Sequence, residues 1–258
     1  MFRGATPEAI GRNSLTNAPL RTLRLAAVNI DGVLLNDTFS PVLHQLVTEW
    51  GGTYTAELEQ RLLSQTQARA ARVLAEATGS TATEQEVTQA YFAARERYVR
   101  THPVRLLDGA VPLLERLRSL GLELICYGGL EAGHFRRHLG PEASRFTAPG
   151  YICTNDFRPG IREIVEDFFA LRRDQVLFID DAASFAARAR ALDIPFIGHP
   201  SAYEHGFQPR LMRAAGVRHV VGSLDEIDEA LVRKVDQEAA DGTVWRDAGR
   251  AAAEEVGA

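Results

Sequence analysis

The sequence predicts an α/β protein: a doubly wound parallel sheet with helices on both faces, carrying a small all-helical domain inserted after the first strand. Three observations carry this expectation. The apolar run Leu25-Ala26-Ala27-Val28 breaks at Asn29-Ile30-Asp31-Gly32, the pattern of a buried strand opening into a tight turn. From Pro41 to about Arg100 the apolar residues recur at helical spacing. From Val111 onward, strand-like and helix-like segments alternate, which argues for a parallel sheet covered on both sides.

In order along the chain, residues 1–21 scatter Gly, Pro, Asn and Thr without a period and read as a flexible lead. Residues 22–36 and 105–233 form the expected α/β core, with 37–104 as the helical cap. Within the cap, Val42, Leu43, Leu46 and Val47 share one helix face, and Leu58, Leu62, Leu63, Val73 and Leu74 continue the pattern. Gly51-Gly52 and Thr78-Gly79-Ser80-Thr81 punctuate it, and Thr83 with Glu86 is a capping-box signature. Three or four helices are expected there. A helix over Val111–Leu120 follows, then a strand over Leu122–Tyr127 closed by Gly128-Gly129, a helix over Glu131–Leu139 and a short strand over Gly150–Thr154. Pro159–Leu171 reads as a helix with proline one step inside its start. A strand over Gln175–Ile179 ends in Asp180-Asp181. A helix over Ala182–Leu192, strands over Pro195–Gly198 and Val217–Val221, and a helix over Leu224–Val232 complete the core. The Ala- and Glu-rich stretch 234–258 is expected to be a frayed helix or disordered tail.

At 258 residues and 45% hydrophobic, the chain can bury one core plus a small second domain. A net charge of −5 supplies no basic footprint for nucleic acid. The two cysteines, Cys126 and Cys153, allow neither a disulfide framework nor a four-cysteine zinc site, and both read as inert core residues. The first twenty residues lack the continuous apolar core of a secretory signal, and no apolar run approaches the roughly 20 residues of a membrane helix. A soluble, cytoplasmic protein is expected.

Ligands of open parallel sheets gather beyond the carboxyl ends of the strands. Four such ends carry suggestive residues here: Asn29/Asp31, Gly128/Gly129, Asn155 to Arg158, and Asp180/Asp181. Their order and spacing, over about residues 22–233, resemble the four motifs of the haloacid dehalogenase (HAD) superfamily. The resemblance is closest to the phosphoglycolate-phosphatase and β-phosphoglucomutase-like branch, which carries a helical cap after the first motif. Asp37-Thr38, followed by a helix through His44 and Trp50, looks like the entry into that cap. The resemblance implies a Rossmann-like core and aspartyl-phosphate chemistry. In an active member the first Asp attacks phosphorus, and the Asp two residues on protonates the leaving group and then activates water. Two carboxylates after the fourth strand help the first Asp hold Mg²⁺. A Ser or Thr after the second strand and a Lys near the third bind the phosphoryl oxygens.

Carried over residue by residue, the resemblance makes Asp31 the general acid/base and gives Mg²⁺ to Asp180, Asp181 and the backbone of Asp31. Asn29 stands at the nucleophile position, Gly128 (beside Gly129) where a Ser or Thr is usual, and Arg158-Pro159 where a Lys-Pro pair is usual. Each departure has a physical consequence. An amide oxygen is a poor nucleophile, so the covalent step is closed to Asn29, which is also a weak metal ligand. Mg²⁺ affinity is therefore expected to be weakened. Gly128 and Gly129 let backbone N–H groups approach an anion, and Arg158 keeps a cation with a bidentate fork. A carboxylate about 4 Å from a bound anion costs on the order of 4 kcal/mol at an effective dielectric of about 20. Asn29 relieves that repulsion, so the pocket is expected to hold an anion with less dependence on metal.

Plainer roles stand beside these. Asn29 and Asp31 could brace the turn, Asp180-Asp181 could cap the next helix, and Arg158 could lie on the surface. Tyr127 reads as core or pocket lining. His134 and His138 share a helix face without an evident third metal ligand. His199, Tyr203 and His205 read as loop surface or substrate contacts, and Trp50, Tyr91 and Phe92 as the cap's own core. Three functions compete. The first is a HAD-like protein that binds a small anionic or phosphorylated metabolite, or a protein partner, with the standard phosphatase reaction impaired. The second is a working hydrolase in which Asp31 acts on water directly, with Mg²⁺ on Asp180 and Asp181 as Lewis acid. The third is a lyase, isomerase or transfer activity on a non-phosphorylated substrate, with Asp31 moving protons.

Overall fold

The computed structural model describes residues 18–246. Most of the expected N-terminal lead, and the tail beyond Arg246, lie outside them. At the centre is a five-stranded sheet of β1 (Leu25–Asn29), β2 (Glu123–Gly128), β3 (Tyr151–Cys153), β4 (Val176–Asp180) and β5 (Phe196–Gly198). The order is β3-β2-β1-β4-β5 and every pairing is parallel. The five residues of β1 are all buried, as a central parallel strand covered on both faces requires.

Alternation along the strands feeds two cores. Ala26, Val28, Leu124, Cys126 and Ile179 pack with Leu113, Leu114 and Leu117 of helix Ala110–Ser119 on one face. Leu25, Ala27, Ile125, Tyr127 and Phe178 pack with Phe185, Ala186 and Ala189 of helix Ala183–Ala191 on the other.

The cap has four helices: α1 (Ser40–Glu49), α2 (Ala56–Leu62), α3 (Gln67–Thr78) and α4 (Glu84–Thr101). In chain order the core helices are α5 (Ala110–Ser119), α6 (Ala132–Leu139), α7 (Ala183–Ala191), α8 (Gln208–Ala214) and α9 (Glu229–Ala240). The hydroxyls of Thr55, Thr66 and Thr83 cap α2, α3 and α4, and the Thr83–Glu86 capping box forms as its spacing implies. Val42, Leu46, Leu58, Leu74 and Val87 close a hydrophobic cluster separate from those of the sheet.

Four segments differ from expectation. The helix expected over Leu224–Val232 is a 3-10 turn over Leu224–Glu226, with α9 starting anew at Glu229 behind an Asp228 cap. The helix expected over Pro159–Leu171 begins only at Ile161 and is wound as a π-helix over Glu163–Phe168. Gly160 sits at φ +81°, a left-handed conformation that a right-handed helix cannot include, so the helix starts after it. Val217–Val221 is not a strand. It hooks onto the sheet edge around one residue, with Gly198 donating to His219 O and Val221 donating to Gly198 O.

The expected tail from Lys234 is instead packed structure through Arg246. Val235, Ala239 and Val244 are buried, and Trp245 stacks on Phe196 at 6.1 Å while its indole N–H donates to Ile194 O at 2.9 Å. Asp236 of α9 accepts the backbone N–H groups of Arg21, Thr22 and Leu23, which anchors the approach to β1. Leu20, assigned to the flexible lead, is likewise buried.

Candidate functional site

β1 and β4 lie side by side although β2 and β3 separate them in sequence, so the sheet reverses its direction of growth between them. A crevice opens at such a switch point. Asn29, Asp31 and Asp181 meet there.

The turn after β1 is tightly specified. Leu34 and Leu35 both donate to Ile30 O, and Gly32 donates to Leu35 O. Gly32 has φ +85°, and a Cβ on it would lie 2.2 Å from Asp181 Oδ2. Only glycine allows both this backbone and the close seat of the Asp181 carboxylate. Beneath the turn, the Nδ1 of the buried His199 lies 3.0 Å from Gly32 O, which assigns His199 to support of the loop.

Asn29 is buried, and its Nδ2 donates two hydrogen bonds of 2.9 Å, one to Asp31 O and one to Asp181 Oδ1. Asp180, expected to share the metal role, does not line the cleft. Its Oδ2 accepts from Tyr127 Oη at 2.6 Å and its Oδ1 from Ala182 N at 2.8 Å. Tyr127, fully buried beneath the cleft, is therefore the anchor of Asp180 rather than a wall of the pocket. Burial holds both carboxyls above the ordinary carboxylate range, and the charge of Asp180 adds to the effect at Asp181.

The expected anion contacts divide similarly. Gly129 lines the cavity and Gly128 does not. A Cβ on Gly128 would sit 2.5 Å from Ile30 Cγ2 and 3.0 Å from Tyr151 Oη, so the hydroxyl-bearing residue usual at this position has no room. A Cβ on Gly129 would lie 2.5 Å from Arg158 Nη1: the guanidinium occupies the volume that any side chain there would need. Arg158 donates to Thr154 Oγ1 at 3.3 Å and makes no ion pair among the described residues. It is half-buried and lines the cleft.

One residue in the site has no assigned place in the sequence reading. His134 Nε2 lies 2.9 Å from Asp31 Oδ1, with both side chains about one-tenth exposed. The i, i+4 pairing with His138, whose ring centroid is 4.8 Å away, was the only signal for it. Burial first, and His134 second, lower the pKa of His138.

The cap closes over this floor. Ser184 Oγ donates to Leu63 O, Gln67 Nε2 to Gly129 O, and Gln67 N to Asn155 Oδ1. Glu59, fully buried, accepts from Phe207 N at 2.9 Å and from Gln208 Nε2 at 2.6 Å. Tyr203 and His205 meet His44 of α1, with Tyr203 Oη 2.7 Å from His44 Nδ1, and so belong to the seam between cap and core. A cavity of about 150 Å³ lies between the two, with Asn29, Asp31, Asp181, Gly129 and Arg158 on the core side. Its cap side includes Phe39, Leu43, Leu62, Tyr91 and Phe92, so Tyr91 and Phe92 are cavity wall as well as cap packing, while Trp50 packs only within the cap.

As arranged, the residues do not fit a divalent cation. Asp31 O and Asp181 Oδ1 accept the N–H groups of Asn29, whose own amide oxygen is a weak ligand, and Asp180 is engaged elsewhere. No group of three or more His, Cys, Asp or Glu side chains placed to hold a metal occurs among the described residues. No helix among them is long and apolar enough to cross a membrane.

No protein-family model and no curated protein matches the sequence. Solved structures do match. β-Phosphoglucomutase from Clostridium difficile superimposes with a TM-score of 0.63 at 13% identity, over 85% of this chain and 99% of that one. A haloacid dehalogenase-like protein from Agrobacterium tumefaciens gives 0.61 at 18% identity, over 82% and 98%. A HAD family hydrolase from Deinococcus radiodurans, with phosphate and sodium bound, gives 0.54 at 17% identity, over 83% and 97%. The chain therefore has the HAD fold with a helical cap.

Proposed function

We propose that this protein binds a small anionic or phosphorylated metabolite in a HAD-type pocket whose standard phosphatase reaction is impaired. The observation that carries the reading is the amide of Asn29. At the head of β1 it presents no nucleophilic carboxylate and only a weakly metal-ligating oxygen, and its N–H groups are committed to Asp31 O and Asp181 Oδ1. Arg158 supplies the recognition element, a guanidinium without an ion pair among the described residues, lying over Gly129 at the cavity wall. The Deinococcus radiodurans hydrolase of similar fold was solved with phosphate and sodium bound, which accords with an anionic ligand. Affinity for Mg²⁺ is weakened on this reading.

Hydrolysis of 4-nitrophenyl phosphate with Mg²⁺ tests it, comparing the protein as given with Asn29→Asp. Turnover confined to Asn29→Asp supports the reading. Turnover by the protein as given, abolished by Asp31→Ala, supports a second one, in which Asp31 acts as general base on water. That second reading is favoured by the 2.9 Å contact from His134, which orients the Asp31 carboxylate at the cleft floor.

A further inference from the structure

The cavity is of two kinds. Its floor is polar, with Arg158 as the cation. Its cap side is built from Phe39, Leu43, Leu62, Leu74, Tyr91 and Phe92. The volume of about 150 Å³ is shared by the polar floor and the apolar cap side, so the ligand must be compact. Three polar atoms of lining residues, Asp37 Oδ2, Ser64 Oγ and Tyr91 Oη, are buried with no hydrogen-bond partner among the described residues. Asp37 Oδ1 already accepts from Phe39 N and Ser40 N, so only its second oxygen is free to accept. Ser64 sits at φ +59°, a strained conformation for a residue with a Cβ, in the loop that joins α2 to α3.

From this we infer that the cap compartment takes an aromatic or similarly compact apolar body carrying one hydrogen-bond donor, so that the ligand is an aryl-type anion and not a sugar phosphate. A sugar brings a hydroxyl on nearly every carbon, and those facing Phe39, Leu43, Leu62, Leu74 and Phe92 would meet no partner, although Gln65, Gln67 and Thr88 line other parts of the wall. A ring needs dispersion contacts and stacking faces, which Phe39, Tyr91 and Phe92 provide. Asp37 Oδ2 can only accept, so the substituent facing it is a hydroxyl or an amine. The anionic end on Arg158 rests on the function proposed above; the ring-binding compartment rests on the cavity itself.

Calorimetric titration of the full chain with phenyl phosphate, inorganic phosphate, glucose 6-phosphate and phenol separates the two. The expected result is that phenyl phosphate binds at least about tenfold tighter than either inorganic phosphate or glucose 6-phosphate, as burial of a ring implies after ordering costs. Ala70→Leu, which narrows the cavity from α3, is expected to remove that advantage while leaving affinity for inorganic phosphate within about twofold. Equal affinity for the three anions, or a preference for glucose 6-phosphate, overturns the aryl assignment and leaves the anion reading standing. If no anion binds, the anion reading fails and phenol decides alone: phenol binding weakened by Ala70→Leu upholds the compartment, and no phenol binding overturns it.

Discussion

Asn29 and Asp181 are joined across the switch point of the sheet by a 2.9 Å hydrogen bond in which the amide donates to the carboxylate. Asn29→Asp replaces that attraction with two facing carboxylates. At about 4 Å and an effective dielectric near 20 their repulsion is on the order of 4 kcal/mol, part of which protonation would relieve. The substituted protein is expected to be destabilised in chelator and to recover stability on addition of Mg²⁺, whereas the protein as given should respond little. Thermal melts of both, with and without Mg²⁺, read this directly. Equal Mg²⁺ responses would show that the amide does not govern the metal site.

Gly128 tests whether the loss of a hydroxyl at the second strand end is a packing matter. A Cβ there would lie 2.5 Å from Ile30 Cγ2, in a fully buried setting. Gly128→Ser is expected to cost about 1–3 kcal/mol through overpacking. Ile30→Ala alone should cost about 2–5 kcal/mol. Combined, the two should cost less than their sum by at least about 1 kcal/mol, since each offsets the other's volume error. Additive denaturation midpoints would locate the constraint elsewhere.

Asp31 and His134 are 103 residues apart in sequence and form a nearly buried pair. Removing one partner leaves the other without its hydrogen bond, so His134→Ala is expected to cost about 1–3 kcal/mol. The double variant His134→Ala with Asp31→Ala should be less destabilised than additivity requires. Urea denaturation of the four proteins measures the coupling, and a coupling of zero would mean that the pair does not hold the turn against α6.

The strands were legible because buried parallel strands read as unbroken apolar runs, and Leu25–Val28, Leu124–Tyr127 and Val176–Ile179 are such runs. The start of α4 was legible because its cap is local, set by Thr83 and Glu86. What escaped depends on contacts between distant segments. The partner of Asp31 depends on how α6 lies over the β1 turn, which no local spacing encodes. The division of labour between Asp180 and Asp181 depends on Tyr127, which reaches Asp180 from β2 on the far side of β1. Phe39 and Phe92 carry the same apolar signal whether they face the cap interior or a cavity beneath it. The end of the core was missed because α9 is rich in Ala and Glu. Its buried face is marked only by Val232, Val235 and Ala239 at helical spacing, in a stretch otherwise polar.

Glu59 gives the seam between cap and core a pH dependence. Burial raises its pKa above the ordinary 4.5, with the bonds from Phe207 N and Gln208 Nε2 pulling partly back. A carboxyl whose folded pKa is raised contributes stability that is full below the unfolded value and is lost as pH rises through the folded one. Glu59→Gln removes the charge and keeps an acceptor for Phe207. Relative to the protein as given, it should therefore gain stability as pH rises from about 4 to about 8. Paired denaturation curves across that range check it; a difference independent of pH would mean that Glu59 does not titrate in the folded seam.

Ser64 places stability and binding in opposition. At φ +59° a residue with a Cβ carries strain of about 1–2 kcal/mol, and its hydroxyl is buried without a partner among the described residues. Glycine relieves both, against a loss of about 0.4–1 kcal/mol from the freer unfolded chain. Ser64→Gly should thus stabilise the empty protein by up to about 1 kcal/mol. If the hydroxyl is held in that posture to meet a ring substituent, the same change should weaken 4-hydroxyphenyl phosphate binding several-fold while leaving phenyl phosphate and inorganic phosphate unaffected. Melting temperature and titration on one preparation give both quantities. A stabilised protein with unchanged 4-hydroxyphenyl phosphate affinity would show that the strained loop serves the packing of the cap and not recognition.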